Sequence, residues 1–166
     1  MTNRLDNPKT IKLDRMRYAK NTFSSRLTYL AILFNVLYFV SIYGSDVGSW
    51  YYQILIGASI VYNLVFMLMT FLASEGVKNY KIGYSWLLLA AGAGQIVRIF
   101  ILPMQAYKAT VTISKVTQQV MQTPQFIWTV ACLALSGVCC IAAGAAGVAR
   151  SRRLAAYKAE TGKKTA

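Results

Sequence analysis

The stretch Tyr84-Ser-Trp-Leu-Leu-Leu-Ala-Ala-Gly-Ala-Gly-Gln-Ile-Val-Arg-Ile-Phe-Ile-Leu-Pro103 decides the fold. Its 20 residues hold one charge, Arg98, and one amide, Gln95. A helix needs roughly 20 apolar residues to cross a bilayer, and Pro103 ends or kinks the run. Gln95 and Arg98 stand three positions apart, so on a helix they share a face. A guanidinium in hydrocarbon is costly and marks a functional position.

Three similar runs surround this one. Spans are expected at 25–43, 50–73, 84–103 and 125–149, flanked by a basic segment 1–24 and a basic tail 150–166. The expected fold is an all-α integral membrane protein. It is a four-transmembrane-helix antiparallel bundle, N-in/C-in, with a short amphipathic N-terminal helix. The chain of 166 residues is 56% hydrophobic and 14% charged, too apolar for a soluble domain.

The charge is lopsided, with 18 Lys+Arg against 5 Asp+Glu. On a soluble chain this would point to nucleic acid, but placement argues otherwise and no nucleic-acid partner is expected. Seven basic residues precede the second quarter of the first span, two lie in the loop 77–81 and six follow the last span. The opposite side has none in its first loop and two, Lys108 and Lys115, in its second. The positive-inside rule therefore places both termini in the cytoplasm of a multi-pass cell-membrane protein. A bacterial plasma membrane is favoured over an endomembrane because no targeting signal is visible. No cleavable signal peptide is expected, since Gly44-Ser45-Asp46 follows the first run.

Asn7-Pro8 reads as a helix start. From there Leu13, Met16, Phe23 and Leu27 fall roughly on one face among Lys9, Lys12, Arg15, Arg17 and Lys20. These cations, with Arg150, Arg152 and Arg153, are the candidates for contact with anionic lipid headgroups. The plainer reading is a topology signal, and it is preferred. Tyr43, Trp50, Tyr51 and Tyr52 suit an aromatic belt at the far interface. Gly76 is expected to close the second span as the residue after its C-cap, and the tail is expected to loosen beyond Tyr157. In 105–123, alternation gives way to helical spacing. An isolated strand there would lack a partner, so a helical extension past Pro103 or a surface helix is expected.

Asn35, Asn63, Gln95 and Ser136 each lie near the centre of a span, making a polar layer at mid-bilayer depth. They should bond across helices; the alternative is a solute or ion site. Arg98 either snorkels to the outer headgroups or pairs with Gln95 and a tyrosine around an outward-opening cavity. Asp46, the one acid of the outer side, is its expected ion-pair partner. Gly92 and Gly94, with Ser136, Cys140, Gly144 and Gly147, form small-residue faces that let helices approach closely, within the chain or in a homo- or hetero-oligomer.

No catalytic residue, cofactor or metal site is expected. The chain has no His, and its three cysteines, Cys132, Cys139 and Cys140, share one span and read as packing residues. Asp46 and Glu75 fall at opposite membrane faces, about 30 Å apart, and cannot form one site. The first functional reading is a non-enzymatic membrane subunit or accessory protein acting through helix–helix contacts and basic segments. The second is a small channel or transporter for a neutral or anionic solute at the polar layer and Arg98. A third is regulation at the membrane surface through the N-terminal helix.

Overall fold

A computed structural model describes residues 8–43, 50–113 and 116–165. The chain runs α1 (Pro8–Tyr18), α2 (Thr22–Tyr43), α3 (Trp50–Lys78), α4 (Ile82–Ile101), α5 (Pro103–Lys108), β1 (Thr110–Ile113), β2 (Val116–Gln119) and α6 (Thr123–Thr165). Four helical segments are long and apolar enough to cross a membrane: α2, α3, α4 with α5, and α6. Their outer faces remain apolar, with Val40, Val61, Leu68, Phe100, Ile127 and Val138 all exposed. A helix that is apolar outside as well as inside fits a lipid surround. The end holding Asn21, Lys78 and Arg150 is termed the tail end, and the end holding α5 and the strands the hairpin end.

Two buried apolar clusters fill the interior. One, towards the tail end, includes Ala31, Phe66, Leu88 and Cys140. The other, towards the hairpin end, includes Tyr38, Leu102, Met121 and Leu133. Asn35, Gln95 and Ser136 each stand in sequence between a residue of one cluster and a residue of the other. The polar groups therefore form a belt across an otherwise apolar core.

The tightest seam joins α4 to α6. A Cβ on Gly92 would lie 2.9 Å from the Gly137 carbonyl oxygen, and one on Gly144 only 2.8 Å from the Ser85 carbonyl oxygen. Glycine is required at both because backbone meets backbone. Gly147 likewise abuts Ser85, whereas Gly94 faces Tyr62 of α3. Gly92, Cys140, Gly144 and Gly147 thus lie in the α4–α6 seam, while Gly94 packs on α3 and Ser136 on α2.

Four expectations need correction. The segment after Pro103 makes a six-residue helix and then an antiparallel hairpin, pairing Thr110 with Gln119 and Ile113 with Val116. The strand finds its partner in its own continuation. Gly76 does not end α3. The Tyr80 N–H bonds the Val77 carbonyl at 3.1 Å and the Lys81 N–H bonds the Gly76 carbonyl at 3.1 Å. That is a Schellman closure with Tyr80, at φ 58°, in the left-handed position. Gly76 is needed instead because a Cβ there would strike the Tyr84 ring at 2.2 Å. The tail does not loosen at Tyr157: α6 continues unbroken for 43 residues, carried by the good helix formers Ala, Arg, Lys and Glu. Lastly, Arg98 does not snorkel.

Asn21 ties the tail end together. Its N–H bonds the Lys78 carbonyl at 2.9 Å, its amide nitrogen donates to Ser24 at 3.0 Å, and its oxygen accepts from Arg150. Ser25 and Ser74 add a bond of 2.8 Å between α2 and α3.

Candidate functional site

Arg98 sits on the third span, one turn before the α4–α5 break, and is only 6% exposed. Its guanidinium points inward to α3. Nη1 donates to Asn63 Oδ1 at 2.7 Å; Nη2 donates to the Ser59 carbonyl at 3.3 Å and to Ser59 Oγ. Ser59 and Asn63 are four apart, so one face of α3 presents both acceptors. Two rings flank the cation, with Cζ 4.5 Å from the Tyr38 centroid and 4.7 Å from that of Tyr62. A cation between ring faces gains from both quadrupoles. Tyr38 is fully buried, while Tyr62 is 38% exposed and forms the thinner wall.

Gln95 lies one turn nearer the tail end and reaches α2, its Nε2 donating to Asn35 Oδ1 at 2.9 Å. Ser136 stands apart from both pairs and donates to the Ala31 carbonyl at 2.9 Å, fastening α6 to α2. The expected single layer is therefore two bonded pairs, Arg98–Asn63 and Gln95–Asn35, plus a separate seam bond. Cys140 is buried within the tail-end cluster. Asp46 lies outside the described residues, as do the side chains of Tyr43, Trp50, Tyr51, Tyr52 and Lys9.

The electrostatics are one-sided. The described carboxylates are Asp14, Glu75 and Glu160, and the described ion pairs, Arg17–Asp14 and Lys78–Glu75, belong to the tail end. Around Arg98 every protein partner is neutral. An arginine can only donate, so Asn63 must turn its oxygen to Arg98 and its Nδ2 away. That Nδ2, with Asn35 Nδ2 and Gln95 Oε1, is buried and bonds no protein atom. A buried amide left unsatisfied costs about 1–3 kcal/mol. The arrangement has a fixed positive charge, two further N–H donors and one acceptor. Such a set is chemically able to donate hydrogen bonds to an accepting group.

Sequence reasoning missed Ser59, for which the four-residue spacing from Asn63 was the signal. It expected a tyrosine beside Arg98 without saying which, and the structure places two there, Tyr38 and Tyr62, while Gln95 bonds Asn35 instead.

The other predicted residues gather at the tail end. Lys12, Arg15, Arg17, Lys20, Arg152 and Arg153 are exposed, and Arg150 is half-buried. Leu13 and Met16 turn towards α6, and Arg17 lies over the Tyr157 ring at 5.0 Å. Part of the face expected on lipid thus rests on protein, and its other part, Phe23 and Leu27, belongs to α2, because the first helix ends at Tyr18. No protein-family model, curated protein or solved structure matches the chain.

Proposed function

We propose that the protein is a non-enzymatic, multi-pass membrane protein that binds a small anion or anionic solute at Arg98, as a small channel or carrier. The observation that supports this is the buried guanidinium surrounded by neutral acceptors and aromatic rings, beside amide donors that no protein atom satisfies. A buried charge without a counter-charge is strongly unfavourable, and an anion entering beside it removes that penalty. Arg98, Asn63 and Asn35 supply donors to the anion. Ser59, Tyr38 and Tyr62 orient and shield the guanidinium.

The four spans form an antiparallel bundle in this reading, with both termini on the cytoplasmic side of a cell membrane. Support comes from the sharing of one end by α1 and the projecting part of α6, and from the basic residues gathered there. The accessory-subunit reading ranks second. Most of the small residues that motivated it lie in the α4–α6 seam, and what favours it still is the α1–α6 platform outside the spans.

The test is anion flux into proteoliposomes together with anion-dependent thermal stability in detergent. A ligand at 100 times its Kd stabilises by about 2.7 kcal/mol. Wild type should show both responses to chloride, nitrate or a small carboxylate, and Arg98→Met should lose both while keeping its helicity. A wild type indifferent to all of them would remove the proposal.

A further inference from the structure

At the tail end, α1, the α3–α4 turn and the projecting part of α6 enclose a groove of about 890 Å3. Its cations are Lys12, Arg15, Arg150 and Arg153, against the single acid Glu160. The pairs Arg17–Asp14 and Lys78–Glu75 use none of the four. Arg150 is already held in place, bonded to Asn21 Oδ1 and stacked over the Phe23 ring at 5.2 Å. Preorganisation of this kind lowers the cost of binding. Leu13, Met16 and Tyr80 give the same groove an apolar side.

Depth identifies the occupant. The last apolar run ends at Ala149. Arg150 is the next residue and Arg153 stands about 4.5 Å further along the helix. Both fall in the headgroup layer, which adds roughly 5–8 Å to each side of the hydrocarbon. A soluble anion would have no use for an apolar wall there, whereas a phospholipid presents phosphate and glycerol together at this level.

We propose that the groove seats the headgroup of an anionic phospholipid from the adjoining leaflet. The guanidinium forks of Arg15, Arg150 and Arg153 donate to its phosphate oxygens, as bidentate arginine–phosphate contacts do. Leu13, Met16 and Tyr80 lie against its glycerol and upper acyl carbons. The site is separate from Arg98 and stands whether or not that residue binds an anion.

The experiment measures retention of phosphatidylglycerol by the full chain in mild detergent, by native mass spectrometry, against phosphatidylcholine and free glycerol phosphate. Arg15→Gln with Arg153→Gln removes two exposed groove cations, and circular dichroism checks that helicity is kept. Arg152→Gln with Lys158→Gln removes two nearby cations outside the groove. Each basic contact near a membrane surface is worth a several-fold factor, so the groove pair should weaken retention about 30-fold. The control pair should leave it unchanged. Equal loss in both pairs would reduce the effect to diffuse charge and overturn the site. Equal binding of free glycerol phosphate would overturn the lipid as occupant, and equal binding of phosphatidylcholine would overturn its anionic headgroup.

Discussion

Arg98 is a cation whose visible partners are neutral acceptors and two aromatic rings, so its substitutions separate structure from binding. Arg98→Met removes the buried charge but also leaves Asn63 Oδ1 and Ser59 Oγ without their donor, a loss of about 1–3 kcal/mol that the removal of an uncompensated charge offsets in part. We expect a folded protein that no longer gains stability from anions, read by melts with and without salt. Asn63→Leu leaves the charge and removes its acceptor. It should cost about 1–3 kcal/mol in detergent unfolding. Gln95, Arg98, Asn35 and Asn63 were legible in the sequence because polar groups are rare in spans and must point inward. Which partner each chooses was not legible, because it depends on the rotation of α3 and α2 about their axes. That rotation places Ser59 and Tyr38 at the guanidinium and leaves Ser136 to the Ala31 carbonyl.

At the scale of elements, the α4–α6 seam and the α3–α4 turn are the sensitive places. Gly144→Leu drives side-chain atoms into the Ser85 carbonyl oxygen and the Leu89 N–H, which lie 2.8 and 3.1 Å from a Cβ there. Overpacking of this sort costs typically 1–3 kcal/mol, and separation of backbones should place this variant at the upper end in detergent unfolding. Tyr80→Gly acts the other way. Left-handed backbone costs a side-chain-bearing residue about 1–2 kcal/mol, so glycine should raise stability, read in the same melts. The spans were readable from hydropathy because lipid solvates each of them independently. The hairpin was not, since strand pairing is a relation between two segments and neither Thr110–Ile113 nor Val116–Gln119 reveals it alone. Gly76 misled for a related reason: a glycine near a helix end serves a cap or a close neighbour, and only the position of Tyr84 decides.

Taken whole, the molecule keeps its polar work inside and its basic surface at one end. With native cysteines replaced, Asn3→Cys and Lys164→Cys should both react with an impermeant maleimide from the same side of oriented vesicles. Reaction from opposite sides would break the antiparallel arrangement and the assignment of the groove to one leaflet. The charge asymmetry is the sequence's ground for proposing that arrangement, whereas the groove depends on α6 not stopping where its apolar run does. That continuity has a mechanical consequence. A single rod of 43 residues is about 65 Å long and is clasped by α4 near its middle. Rocking by 5° about Gly144 would swing its far tip by roughly 3 Å, carrying the wall that faces α1. In the proposed orientation, a displacement at the headgroup level would be carried by one helix into the α4–α6 seam.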